Sequence, residues 1–173
     1  LQFLSNESGD EGGRDCARLT NVEGTHYIIP VLVGTPPQAF SLIPDTGSPW
    51  VIVADTKCSP CHCGKHGENK CFDESRSTSL GVPRKNATEE GPEKHSLMFG
   101  SGPISIAVAS DVVQIAGTPY QTSMESGVLL MLDHELTFSG PFEGLLGLSL
   151  PEHKLDPAVL SDFEPPSYTD GFI

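Results

Sequence analysis

An Asp-Thr-Gly-Ser turn separates two short apolar runs in residues 40–53, FSLIPDTGSPWVIV. The first run alternates apolar and polar residues and the second is rich in β-branched residues, so each favours a strand. The first strand delivers Asp45 to the turn, where Gly47 lets backbone N–H groups approach the carboxylate closely. Gly (18) and Pro (15) together make 33 of the 173 residues, which favours many turns and a β-rich fold over a helical bundle.

Strand patterns occur along much of the chain. Residues 27–34, YIIPVLVG, are a β-branched run, and a Thr-Pro-Pro-Gln turn follows, so this run and the strand before Asp45 predict a hairpin. Residues 96–109 predict a second hairpin with a glycine-rich tip, and DVVQIAG and GVLLML predict further strands. Asp156 before Pro157 predicts the start of one short helix. Six to eight short strands with one helix indicate the all-β class.

The length of 173 residues suits one domain or a little more. Residues 1–24 are polar and rich in glycine, which predicts a flexible N-terminal arm, and residues 25–173 predict one lobe. Residues 55–95 are polar and rich in turn formers, so we expect long surface loops there. They include a cysteine-rich loop at residues 55–75.

The charge balance excludes some partners. The net charge is −13, so nucleic acid is not an expected partner, because phosphate binding needs clustered Lys and Arg. A membrane is not indicated either, because anionic lipid also attracts basic residues and no apolar run approaches the ~20 residues of a membrane span. The acidity fits work at low pH, and it equally fits a surface charged for solubility.

Asp45 is the candidate catalytic residue. Hydroxyl donors at Thr46 and Ser48, with the backbone N–H groups near Gly47, would hold its carboxylate as an anion able to bind and activate a water. General acid–base hydrolysis needs a partner in the opposite protonation state, and two close carboxylates share one proton because both cannot ionise together. The alternative is a purely structural Asx-turn, in which Asp45 bonds its own backbone.

Four segments, in order, resemble the N-terminal lobe of the pepsin-like aspartic proteases. They are YIIPVLVGTPPQAFSLI, DTGS, FGSGPISIAVASDVVQIAG and PFEGLLGLSLP, and FDESRSTS is similar to a further family segment. The resemblance implies an all-β lobe, a β-sandwich or half-barrel with a flap hairpin. The last of the four segments would pack behind the active aspartate.

The resemblance also implies roles for the site residues. Asp45 would be catalytic, and Thr46, Gly47 and Ser48 would support it, with Ser48 donating a hydrogen bond to the Asp45 carboxylate. The flap that closes over a peptide or protein substrate would comprise Phe99, Gly100, Ser101 and Gly102. The implied reaction is attack of an activated water on a peptide carbonyl, without a covalent intermediate and without a metal or other cofactor.

The sequence departs from the family pattern in three ways. It contains no second Asp-Thr/Ser-Gly. We therefore expect the C-terminal lobe to be absent from this sequence, and a second lobe or partner chain to supply another aspartate. Phe99 occupies the flap position of the family's tyrosine, and Ile52 occupies the position of its tryptophan, two side chains that hydrogen-bond each other in the family. We therefore expect an aspartic endopeptidase that is inactive as an isolated chain. The alternative is a non-catalytic half-lobe, a binding or structural subunit of a larger complex.

Four of the five cysteines lie close together, and Cys16 stands apart. The cluster, which includes His62 and His66, has the residue types of a zinc site, but its spacing is not a clean zinc pattern. The family keeps disulfides in this loop, so the resemblance implies two, with metal or free thiols as alternatives. The clustered cysteines are Cys58, Cys61, Cys63 and Cys71. Sequons at Asn6 and Asn86 are candidate glycosylation sites, and with the cysteines they indicate a secreted, vacuolar or other oxidising compartment.

Overall fold

A computed structural model describes residues 16–64, 69–83, 91–99, 102–136 and 143–149. Within these ranges the chain forms eight strands and two short 3₁₀ turns, Ser59–Cys61 and Glu74–Arg76. The strands are β1 (Thr20–Val22), β2 (His26–Val33), β3 (Gln38–Asp45), β4 (Val51–Ala54), β5 (Lys94–Phe99), β6 (Gly102–Ile115), β7 (Gln121–His134) and β8 (Gly144–Gly147). The all-β class predicted from the sequence is confirmed.

The strands form one mixed sheet in the order β1-β2-β3-β8-β4-β7-β6-β5. Two pairs are parallel, β3 with β8 and β4 with β7, and the other pairs are antiparallel. Because β2 also pairs with β6, six strands from β2 round to β6 make a closed ring. The strands β1 and β5 add to the outside of that ring. Closure leaves few strand edges exposed, which stabilises a sheet of this size.

The sheet is covered by apolar side chains on both faces, as β4 shows. Val51 and Val53 join one core cluster, and the intervening Ile52 and Ala54 join the other. All four residues are buried, because β4 lies between two neighbouring strands with packing on each side. Full burial of one such aliphatic side chain stabilises the fold by about 1.5–3 kcal/mol, so the strand after the Asp45 turn is firmly anchored.

Three strands differ from their predicted extent. β1 lies inside the segment predicted as a flexible arm and pairs with β2 from Thr20 to Val22. The runs predicted as separate short strands are parts of β6 and β7, each 14 residues long. Register shifts at Ser105/Ile106 and Ala109/Asp111 let these long strands bend around the ring, since a bulge increases local twist. The predicted hairpins β2–β3 and β5–β6 are confirmed.

The cysteine-rich loop is irregular, as predicted, and cross-linked. Disulfides join Cys58 to Cys61 and Cys63 to Cys71, which resolves the pairing that spacing left open. Cys16 is free and exposed. The helix predicted after Asp156 lies outside the described residues. Among the described helical segments, none has the length and apolar character that a membrane span requires.

Candidate active site

Asp45 is the last residue of β3, where it pairs with Gly147 of the parallel neighbour β8. Its carbonyl accepts a hydrogen bond from the Leu148 N–H at 2.7 Å, so the backbone of the turn is held from both sides. Pro44 lies beyond the last β2–β3 pair at Leu42. A proline without an N–H is tolerated at that point because β3 no longer has β2 as a neighbour.

The Asp45 carboxylate is partly buried, and the two residues after it are exposed. Its Oδ1 accepts a hydrogen bond from the Gly47 N–H at 2.9 Å. This is the close backbone approach expected at Gly47, and it also has the form of an Asx-turn. The Gly47 hydrogen bond therefore orients a carboxylate that is still partly exposed.

Ser48 does not donate to Asp45, unlike the arrangement that the resemblance implies. Its side chain is 5% exposed, and its Oγ has no hydrogen-bond partner among the described residues. A buried hydroxyl without a partner costs about 1–3 kcal/mol. The Ser48 backbone is engaged, because its carbonyl accepts the Ser149 N–H at 3.1 Å.

Gly147 packs directly behind the Asp45 turn. A Cβ at this position would lie 2.5 Å from the Ser48 carbonyl oxygen and 2.5 Å from the Trp50 nitrogen. Its own N–H donates to the Trp50 carbonyl at 2.9 Å. The segment that the resemblance placed behind Asp45 does lie there, and the absence of a side chain allows the close contact.

Glu143 is a positioning residue that the sequence analysis missed. Its Oε2 accepts the Ser41 N–H at 2.6 Å, and its carbonyl accepts the Ala54 N–H at 3.1 Å. One residue therefore ties β3 to β4 on either side of the Asp45 turn. A single acidic residue at the start of the apolar segment PFEGLLGLSLP gives no sequence signal for this role, because a solvated acidic residue beside a strand has the same pattern.

The predicted flap is the end of the β5–β6 hairpin, where Phe99 pairs with Gly102. Gly100 and Ser101 lie outside the described residues. At Gly102 a Cβ would lie 2.7 Å from the Glu135 carbonyl oxygen, and φ is +142°. Gly102 is thus required by close packing against the end of β7, in addition to any role in flap movement.

Ile52, at the position of the family's tryptophan, is completely buried in a core cluster against which Trp50 packs. Its apolar side chain leaves no donor without a partner at this position. The polar contact between flap and strand that the resemblance implies is therefore replaced by apolar packing on the strand side.

The cysteine cluster was also a candidate metal site. The ligand atoms of Cys58, Cys61 and His134 lie within 4.8 Å of one another, but the two sulfurs form a disulfide. A disulfide sulfur is not a thiolate and does not bind metal as one. The candidate glycosylation residues Asn6 and Asn86 lie outside the described residues.

Comparison with known proteins agrees with this geometry. Residues 26–165 match the family model of the eukaryotic aspartyl proteases. Rat renin is 32% identical over 142 residues, which cover 82% of this chain and 32% of renin. Rabbit pepsin F is 33% identical over 133 residues, which cover 77% of this chain and 31% of pepsin F. Aspartic protease 17 of Caenorhabditis elegans is 32% identical over 134 residues, which cover 75% of this chain and 32% of that protease.

The chain spans about a third of the length of these curated relatives. The family match nevertheless covers most of the chain and includes the Asp45 turn, the β5–β6 hairpin and β8. On this combination of sequence match, strand order and site geometry, the chain belongs to the pepsin-like family of eukaryotic aspartyl proteases.

Proposed function

We propose that this chain is the N-terminal part of an aspartic endopeptidase, and that Asp45 is one of its two catalytic carboxylates. The observation that carries the proposal is the placement of Asp45 at the end of β3, oriented by the Gly47 N–H and backed by Gly147. A carboxylate held in this way on a sheet, and still partly exposed, is preorganised to bind a water.

The reaction needs a second carboxyl group, from another lobe or a partner chain. One carboxylate accepts a proton from the water as its oxygen attacks the peptide carbonyl carbon, while the protonated partner donates to the carbonyl oxygen. Collapse of the tetrahedral intermediate breaks the C–N bond, and a carboxyl proton passes to the leaving nitrogen. The two groups share one proton at the start, because close carboxylates do not both ionise.

The substrate is a peptide or protein in extended form, covered by the β5–β6 hairpin. Phe99 and Gly102, paired at the described end of that hairpin, and the adjoining Gly100 and Ser101 form the flap in this proposal. Thr46 and Ser48 support the active turn. The two disulfides indicate an oxidising compartment, and we place the protein in the secretory or vacuolar pathway on that basis.

The test is peptide cleavage by the assembled native protein at acidic pH. We expect pepstatin-sensitive activity that falls by at least about 10²–10⁴-fold in Asp45→Asn, because the substitution removes the acid–base group. Asp133→Asn, which makes the same charge change at an exposed residue of β7, is the matched control and should retain activity. Absence of activity from the assembled protein, or an active Asp45→Asn variant, would refute the proposal.

The second candidate function is a non-catalytic half-lobe that serves as a binding or structural subunit. It is favoured by the Ser48 Oγ, which donates to no described group, and by Phe99 and Ile52 in place of two polar residues. A structure of the native assembly separates the two functions. An Asp-Thr/Ser-Gly turn facing Asp45 supports the enzyme, whereas an unrelated protein covering the Asp45 face supports the subunit.

A further inference from the structure

A second carboxyl group, Asp55, is buried away from the Asp45 turn, at the residue that follows β4. The residue has 0% exposure. Its Oδ1 accepts the Lys57 N–H at 2.7 Å, but its buried Oδ2 has no hydrogen-bond partner among the described residues. Ionising a carboxyl group with such an oxygen costs free energy, because a buried charge needs hydrogen bonds or a counter-ion.

Glu74 faces Asp55 from the start of the second 3₁₀ turn. Its Oε2 forms an ion pair with the Lys57 Nζ at 2.6 Å, and its Oε1 is buried without a described hydrogen-bond partner. Lys57 joins the two residues, because its N–H donates to Asp55 and its ammonium group pairs with Glu74, and a hydrogen bond with Glu74 contributes to the raised pKa of Asp55. Each therefore has one satisfied oxygen and one that lacks a donor, and a proton held between the two carboxyls satisfies both.

The local charges also favour one shared proton. Two ionised carboxylates would meet a single ammonium group, that of Lys57. The pKa of Asp55 is raised to about 6 in total: burial raises it most, the Lys57 amide lowers it, and the charge of Glu74 and the hydrogen bond with that group raise it. One proton on the pair reduces the net charge of the buried group to zero.

Other titratable groups stand on the surrounding elements. Asp73 and Arg76 flank Glu74 on its turn, and the pKa of Asp73 is lowered by its hydrogen bonds from Ser75. Asp133 and His134 lie near the end of β7, the strand whose Met131 carbonyl accepts the Asp55 N–H. Across the described ranges, the charges that act on Asp55 are those of Glu74 and Lys57.

The pair lies at the neck of the cysteine-rich loop. The Phe72 N–H donates to the Ala54 carbonyl at 2.7 Å, and the Thr56 N–H donates to the Phe72 carbonyl at 3.0 Å. Asp55 and Glu74 thus stand on the two chain segments that enter and leave the loop. The Asp55 carbonyl also accepts the Cys58 N–H at 2.9 Å, which connects the pair to the first disulfide.

We propose that Asp55 and Glu74 share one proton as a pH-sensitive clasp, which closes the neck of the cysteine-rich loop in acid and releases it as the pH approaches neutrality. The release is local, because strand residues make up most of the two core clusters, although Phe72, Cys58 and Cys61 of the loop also pack into them. The clasp depends on no catalytic group, so its test is independent of peptidase activity.

The direction of the pH dependence follows from the coupling between neck closure and proton binding. The folded-state pKa of Asp55 is raised from 3.8 to about 6. The stabilisation of the closed neck is therefore fully present below pH 3.8 and is lost as the pH rises through about 6. Since one pKa unit corresponds to tenfold in an equilibrium, we expect the opening equilibrium to rise by between about 10-fold and about 100-fold from pH 4.5 to pH 7.5.

The test uses the full chain and two NMR readouts across this pH range. Carboxyl ¹³C shifts should show Asp55 titrating in one step near pH 6, and the shift of the neighbouring Glu74 carboxyl should respond to that step. Hydrogen-exchange protection, corrected for the intrinsic pH dependence, should fall at the amides of Thr56, Cys58 and Phe72. Amides in the central β6–β7 pairs should change little, because release is confined to the neck.

Asp55→Asn supplies an amide donor in place of the shared proton, so hydrogen-exchange protection of the neck amides should become independent of pH. Glu74→Gln should have the same effect. Glu125→Gln, an exposed acid on β7, is the matched control and should keep the wild-type response. An Asp55 that titrates near pH 4 in the wild type, or a pH-independent neck, overturns the proposal without any variant.

Discussion

At the scale of single residues, the active turn depends on atoms that approach too closely for a side chain. Gly147 lies against backbone atoms of Ser48 and Trp50, which are fixed by β4 and β8 and have little freedom to move. The apolar-apolar-Gly pattern places this glycine by resemblance, but the sequence alone contains no measure of the distance. The contact arises between residues far apart in the chain, and only the folded sheet brings them together.

Gly147→Ala should therefore destabilise the fold by about 1–3 kcal/mol, the usual cost of overpacking, because the new Cβ meets backbone and not a flexible side chain. Urea unfolding followed by circular dichroism measures the change. Gly81→Ala is the control, since its Cβ would lie 3.7 Å from the Ser110 Cβ, an ordinary contact. Equal stability of the two variants would show that the Asp45 turn can shift to accommodate a Cβ at position 147, and that the close contact of Gly147 is not required.

At the scale of elements, the strands near Asp45 were predictable, whereas β1, the first part of β7 and the contacts within the long loop were not. β2, β3 and β4 have clear alternating or β-branched runs, because each buries a defined set of side chains. β1 and the first part of β7 are largely exposed and polar, so they lack that signal and form by pairing with a neighbour already in place. The Asp55–Glu74 pair was missed for a similar reason, since burial of an acid is a property of the folded loop.

The cysteine-rich loop has few regular hydrogen bonds, so its disulfides should contribute much of its order. The Cys63–Cys71 link spans eight residues and constrains the unfolded chain. By the loop-entropy relation, Cys63→Ala with Cys71→Ala should lower the free energy of unfolding by about 2–3 kcal/mol. Cys16→Ala, at a free and exposed cysteine, should leave stability unchanged. Denaturant unfolding of both variants decides the matter, and equal midpoints would count against a structural role for the link.

At the scale of the whole molecule, the ring of six strands is a complete unit for packing, whereas the site is incomplete for catalysis. The ring closes through β2 and β6 and is covered on both faces, so the fold does not require a second lobe to bury its core. The chemistry does require one, because Asp45 stands in the one Asp-Thr/Ser-Gly turn of this sequence. Family membership was therefore predictable from sequence, whereas the proposed activity needs a second carboxyl group that lies outside this sequence.

Folding and the proposed catalysis can therefore be separated by experiment on the isolated chain. The isolated chain should fold, yet cleave no peptide between pH 2 and pH 7, because a lone carboxylate cannot act as base and acid in one step. The assembled protein should show a bell-shaped dependence of kcat/KM on pH, whose two apparent pKa values belong to the carboxyl pair as a whole. Activity of the isolated chain that rises with the square of its concentration would mean that two copies each supply an Asp45. Activity that rises linearly, with light scattering showing a monomer, would contradict the requirement for a second aspartate.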